Sequence, residues 1–262
     1  MLLPPQPFAQ DVYSKWHEAT FPGDAPLADK VNQLRADLLA NSRDSLAALG
    51  RILTYTTNYC RPEYERTANM TTDYYSPLRE VLQKESGTNA YELLFKSTPA
   101  IINKLWRKNS SAPPAVHLGN IREHITDLVR TDVTATTLDS ARFLAERMNA
   151  LPGIIYELRL KRAFEAAIAT IHFGPEMKME SGYFAYHGLV HFRNGLVVEV
   201  QIYSELMRQW RKISHRLYER ARVEGRQQHE FNSKESRLIS LGHLLHVAEC
   251  ELQRLAQEFG VR

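Results

Sequence analysis

The amino-acid sequence predicts a mixed α/β (α+β) fold, in which helices flank a central, mostly antiparallel sheet. Three features of the 262 residues favour it. Apolar residues recur at helical spacing between Ala25 and Leu53, two runs of alternating polarity meet at Asn194-Gly195, and a long helical pattern follows Asn232. We therefore expect a sheet domain with helical extensions at both ends.

Composition and charge are those of a globular chain with a sizeable core. Hydrophobic residues make up 44% of the sequence and charged residues 24%, and the formal net charge is only +3, so bulk charge does not indicate non-specific nucleic-acid binding. Cys60 and Cys250 have no disulfide or metal-ligand spacing, which indicates a reducing compartment. Because the start lacks signal-peptide features and no apolar run approaches about 18 residues, we expect a cytoplasmic protein without a membrane partner.

The first third of the chain predicts helices. The apolar pattern predicts one or two helices over Ala25–Leu53 and shorter ones near Pro62–Ala68 and Pro77–Lys84. Thr98–Lys108 predicts another, with a proline in its first turn, where a missing N–H costs little.

Strands and helices alternate in the middle of the chain. Leu128–Leu138 is rich in Val and Thr and predicts a strand, Asp139–Asn149 predicts a helix, and Ile154–Leu160 predicts a second strand. Arg162–Ile171 is ambiguous, because its alanines favour helix while the segment is short. After the second half of the sheet, Asn232 is the expected cap of a long last helix.

The clearest local pattern is a β-hairpin that joins the runs 183–192 and 196–203 across Arg193-Asn194-Gly195. An odd loop, with the glycine in the left-handed region, places four polar residues on one side of the sheet: His187, His191, Glu199 and Gln201. A two-residue loop instead places the glutamate opposite both histidines. The register therefore decides whether these residues form one site.

Glu199 and Asp132 are carboxylates inside otherwise apolar or Thr-rich strands, where a charge is costly without compensation. A divalent cation would compensate it, and two carboxylates on neighbouring strands commonly hold Mg²⁺ against nucleotide phosphates. The alternative is that each faces solvent on a half-exposed sheet. Similarly, Lys96, Lys104 and Arg107 form either a solvated helix face or a triphosphate site.

Three segments, GYFAYH, VEVQI and WRKISHRLYE, together resemble the RelA/SpoT synthetase signature. That signature runs GYxxxH, then ExQ in a strand, then W, H and Y on a helix. Upstream, KSTPAIINKLWRK resembles the family's lysine-bearing ATP segment, and Asp132 lies where the family has its strand aspartate. The resemblance covers roughly residues 94 to 218. It implies a nucleotidyltransferase-like synthetase core at 91–222, between a helical region at 1–90 and a C-terminal helix at 223–262.

The resemblance implies a pyrophosphokinase that transfers the β,γ-pyrophosphate of ATP to the 3′-hydroxyl of a guanosine or adenosine nucleotide, giving a (p)ppGpp- or (p)ppApp-type alarmone. Asp132 and Glu199 would hold Mg²⁺, and Glu199 would also activate the acceptor hydroxyl. The ATP contacts would be Lys96, Lys104 and Arg107, with both lysines in the cleft of Glu199. The acceptor contacts would be Tyr183, His187, Gln201 and His215, with the tyrosine stacked on the base.

The chain departs from the family pattern where arginines are expected. After Asp132 it has Ala135 and Thr137 in place of glycine and arginine, while Leu94 and Phe184 occupy two further arginine positions. The candidate replacements are Arg107, Arg122 and Arg130. An HD-type hydrolase motif is absent from the sequence, which argues against a bifunctional enzyme.

The sequence leaves open two other functions and the possibility of a homo-oligomer. A toxin-like member would modify the 3′ end of tRNA and would need a basic approach surface. One helix would supply it through Arg208, Arg211, Lys212, Arg216, Arg220 and Arg222. Alternatively, a degenerate domain would bind a nucleotide or a protein without catalysis. The last helix packs either on the domain or on another subunit, which leaves a homo-oligomer open.

Overall fold

Alternating apolar and polar residues in the second half of the chain build most of a five-stranded sheet. The computed structural model describes residues 3–78, 80, 88–111, 115–155, 164, 167–223 and 232–259, without the side chains of 88–90, 154 and 215–223. In chain order the strands are β1 (Tyr74–Tyr75), β2 (Arg130–Ala135), β3 (Ile168–Lys178), β4 (Tyr183–Phe192) and β5 (Val197–Ser204).

The order of strands across the sheet is β1-β2-β5-β4-β3. Among the described strands, only β2 and β5 run parallel, while β1 pairs with β2, β5 with β4 and β4 with β3 in antiparallel fashion. The predicted mixed and mostly antiparallel sheet is therefore confirmed. The parallel pair places β2, from the middle of the chain, directly beside the second strand of the hairpin.

Helices cover the sheet and extend it at both ends, as the sequence predicts. The six longest helices of the described residues are α1 (Gln10–Thr20), α2 (Leu27–Ala68), α3 (Thr98–Asn109), α4 (Leu138–Asn149), α5 (Glu205–Val223) and α6 (Lys234–Glu258). Shorter helical turns lie at Pro22–Asp24, Thr88–Leu94, Ile121–His124 and Leu151–Ile154. Within the described part of the chain, no helix combines the length and the apolar composition that a membrane span requires.

A single helix of 42 residues, α2, replaces the separate helices expected over Ala25–Leu53 and Pro62–Ala68. It continues through Pro62 because Cys60 and Tyr64, on either side of the proline, are both buried in the domain. Packing thus outweighs the local cost of the proline. Of the helix expected at Pro77–Lys84, residues 77, 78 and 80 are helical, and the remainder lies outside the described residues.

The helices predicted over Thr98–Lys108 and Asp139–Asn149 are confirmed as α3 and α4. Thr137 caps α4: its hydroxyl accepts a hydrogen bond from the Ser140 N–H, while the Ser140 side chain accepts one from the Thr137 N–H. Such reciprocal bonds satisfy two donors that the first turn of a helix leaves open. The helix therefore starts directly after β2.

The hairpin register is the odd one. Leu189 lies opposite Glu199, and His187 lies opposite Gln201. The loop is three residues long, since the N–H of Phe192 donates to the carbonyl of Leu196, and Gly195 has the left-handed φ of 82°. The polar residues of β4 and β5 consequently share one face, and Val198, Val200 and Ile202 are buried on the other.

Strand β3 was not predicted, because its first residues fall in the ambiguous segment Arg162–Ile171 and Pro175 lies within it. It is an edge strand, where a proline interrupts no ladder on its outer side. Gly188 of β4 leaves space for its Phe173, whose ring would lie 2.3 Å from a Cβ at that position.

The strand expected at Ile154–Leu160 is wrong at its start. Leu151–Ile154 is a helical turn, with Pro152 in its first positions, where the ring fixes a helical φ. Residues 156–160 lie outside the described part of the chain.

Helix α6 is capped by Ser233 rather than by Asn232. An N-cap needs an extended backbone, which Ser233 has at φ −64° and ψ 163°, and its hydroxyl accepts from the Ser236 N–H. Asn232 has the left-handed φ of 62° and cannot serve. The helix packs on the domain, although Leu244 and Leu252 of its apolar side are exposed.

The close approach of two glycines fixes α6 against the sheet. A Cβ at Gly242 would lie 2.5 Å from the carbonyl oxygen of Gly182 and 2.9 Å from the Trp210 ring. The Trp210 indole N–H also donates to the carbonyl of Leu238 over 2.9 Å. Helices α5 and α6 thus form one layer next to the turn that precedes β4.

A buried polar network fixes the amino-terminal helix α1. His17 is fully buried, with its Nε2 2.8 Å from Asp24 and its Nδ1 3.1 Å from the Tyr13 hydroxyl. Because a carboxylate only accepts, we infer that Nε2 carries the proton and Nδ1 accepts from the tyrosine. Asn109 of α3 donates to the Tyr13 hydroxyl, and the Leu118 N–H donates to Asp24. Three segments distant in sequence are joined.

Candidate active site

The polar face of the sheet gathers charged residues from three adjacent strands. In the parallel β2–β5 pair, Arg130 lies opposite Glu199, and Asp132 lies opposite Gln201. His187 of β4 lies on the other side of Gln201. Because directly opposed residues point to the same face, all five share one surface. The sequence predicts this gathering for the odd hairpin register, and it gives Arg130 only as a candidate replacement for a missing ATP-site arginine.

Glu199 is held at the centre of this face. Its neighbours Val198 and Val200 are fully buried on the opposite side of β5, so the backbone is fixed. Its side chain is 15% exposed, and Oε1 accepts a hydrogen bond from Gln201 Nε2 over 2.5 Å. The carboxylate is thus largely withdrawn from solvent and oriented by its neighbour on the strand.

His187 links Glu199 to a second carboxylate that the sequence analysis missed. Its Nδ1 lies 2.9 Å from Glu176 Oε2 and 3.7 Å from Glu199 Oε1. Its Nε2 lies 3.2 Å from the Tyr183 hydroxyl. Burial lowers the pKa of His187, against the opposing effect of the two glutamates. Glu176 was missed because it belongs to the unpredicted strand β3.

Tyr183 is a buried member of this cluster. Only 8% of the residue is exposed, and its hydroxyl donates to Gln201 Oε1 over 3.1 Å. Two cationic groups approach its ring, Arg211 at 5.7 Å and Lys178 at 5.8 Å from the centroid. Burial raises the pKa of its hydroxyl. Its ring therefore has little open surface on which a nucleobase could stack in this structure.

Asp132 faces arginines rather than Glu199. Its carboxylate accepts a hydrogen bond from the Tyr203 hydroxyl, and Arg211 Nη1 lies 3.7 Å from Oδ2. Burial raises the pKa of Asp132, while Arg211, Arg208 and Arg130 oppose that shift. Asp132 and Glu199 are diagonal neighbours across the two parallel strands. The three arginines were not predicted as its partners.

Lys96 and Lys104 converge on Asp127, a residue the sequence analysis did not single out. Lys96 Nζ lies 2.5 Å from Oδ2 and Lys104 Nζ 2.7 Å from Oδ1, and all three side chains are largely buried. Burial alone would raise the pKa of Asp127, but Lys104 and Lys96 outweigh it and hold the pKa far below its usual range. The carboxylate therefore stays ionised between the two ammonium groups.

A cavity of about 500 Å³ opens between β2, β5 and α5. Its floor is polar, with Thr131, Asp132, Gln201 and Tyr203, and its cationic wall consists of Arg130, Arg208, Arg211 and Lys212. Pro77, Leu93 and Leu94 complete the lining. The volume lies within the range of roughly 300–1,000 Å³ that is typical of small-molecule sites.

Some residues predicted for the site lie elsewhere in the structure, and others have side chains outside the described part of the chain. Arg107 is exposed in the last turn of α3, and Arg122 lines a separate, much smaller cavity with Leu38 and Ile125. The side chain of His215 falls outside the described residues, as do those of Arg216, Arg220 and Arg222. Of the candidate arginine replacements, Arg130 lines the large cavity.

The two strand carboxylates fit a magnesium ion that arrives with a nucleotide. Among the described residues, no three His, Cys, Asp or Glu side chains form a group able to hold a metal by themselves. Mg²⁺, however, commonly uses only one or two carboxylates and takes its other ligands from phosphates and water. Asp132 and Glu199 supply two carboxylates on one face, next to a cationic cavity.

Comparison with known proteins adds solved structures of similar fold. The crystal structure of small alarmone synthetase 1 from Bacillus subtilis has 18% identity and a TM-score of 0.46, covering 87% of this chain and 99% of that one. The same protein bound to its product pppGpp has 16% identity and a TM-score of 0.41, covering 92% and 98%. A GTP pyrophosphokinase family protein from Streptococcus pneumoniae has 14% identity and a TM-score of 0.43, covering 82% and 91%.

The neighbours in structure are small alarmone synthetases and GTP pyrophosphokinase family proteins. No protein-family model matches the sequence. No curated protein matches it either.

Proposed function

We propose that the protein transfers the β,γ-pyrophosphate of ATP to the 3′-hydroxyl of a purine nucleotide. The observation that carries the proposal is the pairing of β2 with β5, which sets Asp132 and Glu199 on one face beside a cavity walled by four cationic side chains. Carboxylates that share a site with arginines and a lysine suit a reaction of highly charged phosphates.

The reaction requires that the acceptor oxygen O3′ attack the β-phosphorus of ATP. The new bond joins O3′ to that phosphorus, the bond between it and the α–β bridging oxygen breaks, and AMP leaves. The proton of the hydroxyl passes to Glu199, which acts as the general base. Gln201 orients this carboxylate through one of its oxygens, and the buried valines on both sides fix its strand.

Asp132 and Glu199 are the residues that would hold Mg²⁺ on the polar face. A bound ion of this kind neutralises charge on the phosphate oxygens. The chain's own cationic side chains act on the same charge, and catalysis of this type consists mainly of positioning and electrostatic stabilisation. Tyr183 orients Gln201 through the hydrogen bond from its hydroxyl, and His187 orients Glu199, whose Oε1 lies 3.7 Å from the histidine Nδ1.

The best-supported acceptor is a free nucleotide rather than the end of a tRNA. Three of the six basic residues of α5 that would form an approach surface for tRNA, Arg208, Arg211 and Lys212, line the cavity beside Asp132. Charges around a cavity of this size suit the polyphosphate of one small molecule rather than the end of a long RNA. A guanosine or adenosine di- or triphosphate is the acceptor class that we propose.

The direct experiment incubates the purified protein with Mg²⁺ and ATP labelled on the γ-phosphate. Separate reactions contain GDP, GTP, ADP, ATP or total tRNA as acceptor. The proposal expects label in a purine nucleotide product, together with an equal amount of AMP. Label in tRNA alone would establish the toxin-like function instead, and no label in any acceptor would leave a non-catalytic binding domain.

A further inference from the structure

The cavity has a strongly cationic wall built by two elements. Arg130 comes from β2, and Arg208, Arg211 and Lys212 come from one face of α5, since helical residues three and four apart are neighbours. Asp132 is the one carboxylate among the described residues that line the cavity. With Glu205 beside Arg208 counted as a second anion, the four cationic groups still leave an excess of positive charge for a ligand.

The contacts of Arg208 and Arg211 within the protein do not use all of their donors. Arg211 Nη1 is 3.7 Å from Asp132 Oδ2, which is longer than a hydrogen bond. Arg208 Nη1 donates to both carboxylate oxygens of Glu205 over 3.2 and 3.3 Å, but this pair is partly exposed, with 29% and 43% of the two side chains accessible. A guanidinium carries five N–H donors, so both residues retain donors for an oxyanion.

Lys96 and Lys104 are in the opposite situation. Both ammonium groups lie within hydrogen-bond distance of the Asp127 carboxylate, and the side chains of Lys96 and Asp127 are only 10% and 12% exposed. Neither lysine is among the described residues that line the cavity. The protein therefore satisfies these two charges itself, and a phosphate would have to displace Asp127 to reach them.

An apolar wall completes the cavity on another side. It consists of Pro77, Leu93 and Leu94. Leu93 is 87% exposed, which is unusual for a leucine at the edge of a polar site. A cationic wall and an apolar wall in one cavity match a ligand with a polyphosphate at one end and a flat, weakly polar ring system at the other.

We propose that Arg130, Arg208, Arg211 and Lys212 bind the polyphosphate of the donor nucleotide, ATP, in place of Lys96 and Lys104. The base of this nucleotide lies against Leu93 and Leu94. The inference rests on the proposed function, which it deepens by naming the side chains that hold the phosphates. The phosphate site then lies at α5, the helix that follows the hairpin. It does not lie at Lys104 of α3 or at Lys96, just before that helix.

The test is a binding measurement that needs no turnover. Isothermal titration calorimetry of the full chain in Mg²⁺ uses α,β-methylene-ATP, whose α–β linkage cannot be cleaved. Arg208→Gln and Arg211→Gln should each weaken its binding about 10- to 100-fold, the usual loss for a charge-assisted hydrogen bond to phosphate. Lys104→Gln should weaken binding of the analogue by no more than about threefold, because this lysine acts on the bound phosphates only through long-range electrostatics.

Arg43→Gln is the matched control, because Arg43 is an exposed arginine in the middle of α2. It should bind the analogue like the parent. Inorganic tripolyphosphate is the second probe: Leu93→Ser should weaken binding of the analogue at least about fivefold and leave tripolyphosphate binding unchanged, since only the base contacts the apolar wall. Thermal melts establish that each variant is folded.

The inference is overturned if folded Arg208→Gln and Arg211→Gln bind the analogue within about threefold of the parent, or if Lys104→Gln loses as much affinity as they do. Transfer assays on the same preparations separate this failure from that of the proposed function. If the parent transfers pyrophosphate but the arginine variants bind the analogue normally, only the inference about the phosphate site is wrong. If the arginine variants lose binding but the parent transfers pyrophosphate to no acceptor, the proposed reaction is wrong and the binding site remains.

Discussion

The ammonium of Lys96 and the carboxylate of Asp127 form an ion pair that is almost closed to solvent. Lys104 approaches the second oxygen of the same carboxylate. The pair joins the segment before α3 to the segment before β2, whose backbones also meet where the Lys96 N–H donates to the Leu128 carbonyl. It therefore bears on stability as well as on the location of the phosphate site.

Asp127→Asn should lower the free energy of unfolding by about 3 kcal/mol at neutral pH, because it leaves two largely buried ammonium groups without their anion. Urea unfolding measures the loss. Asp44→Asn, at an exposed position of α2, is the matched control and should change stability by less than about 0.5 kcal/mol. Equal losses in both variants would contradict the structural role of Asp127.

The same variant should reveal a pH dependence. The pKa of Asp127 lies far below its usual range in the folded protein, whereas an unfolded aspartate has a pKa of about 3.9. Its ionisation therefore stabilises the fold fully above about pH 5, and this contribution is lost as pH falls towards the folded pKa. The stability gap between parent and Asp127→Asn should narrow on acidification, and a constant gap would speak against the ion pair.

His17 should contribute a separate pH dependence in a milder range. Burial lowers its pKa, against the effect of Asp24, while an unfolded histidine has a pKa of about 6.5. Below that value the unfolded chain binds the extra proton, so stability falls as pH decreases. When the pH is lowered from about 7.5 to about 5.5, the free energy of unfolding should therefore fall less in His17→Gln than in the parent. Urea unfolding across this range measures the effect. An equal change of unfolding free energy with pH in the two proteins would contradict the account.

Gly242→Ala should displace α6 from the sheet. The added methyl group would meet the Gly182 carbonyl oxygen at 2.5 Å and the buried Trp210 ring at 2.9 Å, and neither has much room to move away. We expect a loss of about 2 kcal/mol, as for other overpacked contacts. Gly23→Ala is the control, because a Cβ there has no atom within 4 Å. Equal thermal melts for the two variants would show that the glycine contact is not needed.

The sequence predicts the centre of the sheet well because its signals there are local. Asn194-Gly195 specifies a turn with a left-handed residue, and the alternation of Val198, Glu199 and Val200 specifies which side is buried. Both properties belong to short segments. The hairpin and the strand that carries Asp132 could be predicted for that reason, whereas the sequence left two hairpin registers open and the structure shows the one that places the polar residues on one face.

The parts that could not be predicted depend on contacts between distant segments. Strand β3 contains Gly174 and Pro175, which by themselves indicate a loop, and it forms because β4 supplies a partner at an open edge. Asp127 has no distinctive local pattern, and only the approach of two lysines from α3 and its start gives it a role.

Helix α5 is a further case, because its apolar spacing alone does not identify its buried face. Leu206 and Ile213 are 45% and 56% exposed, while Met207 and Trp210 are buried. Helix α6 packs beside Trp210, and that neighbour is not visible in the sequence of α5. Because Met207 and Trp210 face the domain, Arg208 and Arg211 line the cavity instead of forming only an outer surface.

Glu199 is the residue on which the proposed reaction depends most. Glu199→Gln keeps nearly the same volume and removes the charge that accepts the proton. The most direct measurement is the rate of label transfer from γ-labelled ATP to the acceptor that the parent uses, with melting curves on the same preparations. Glu258→Gln, an exposed change near the end of α6, is the matched control. The account predicts that Glu199→Gln loses at least about a hundredfold in rate and melts at or above the parental temperature. A Glu199→Gln protein that melts like the parent and transfers pyrophosphate at the parental rate would contradict it.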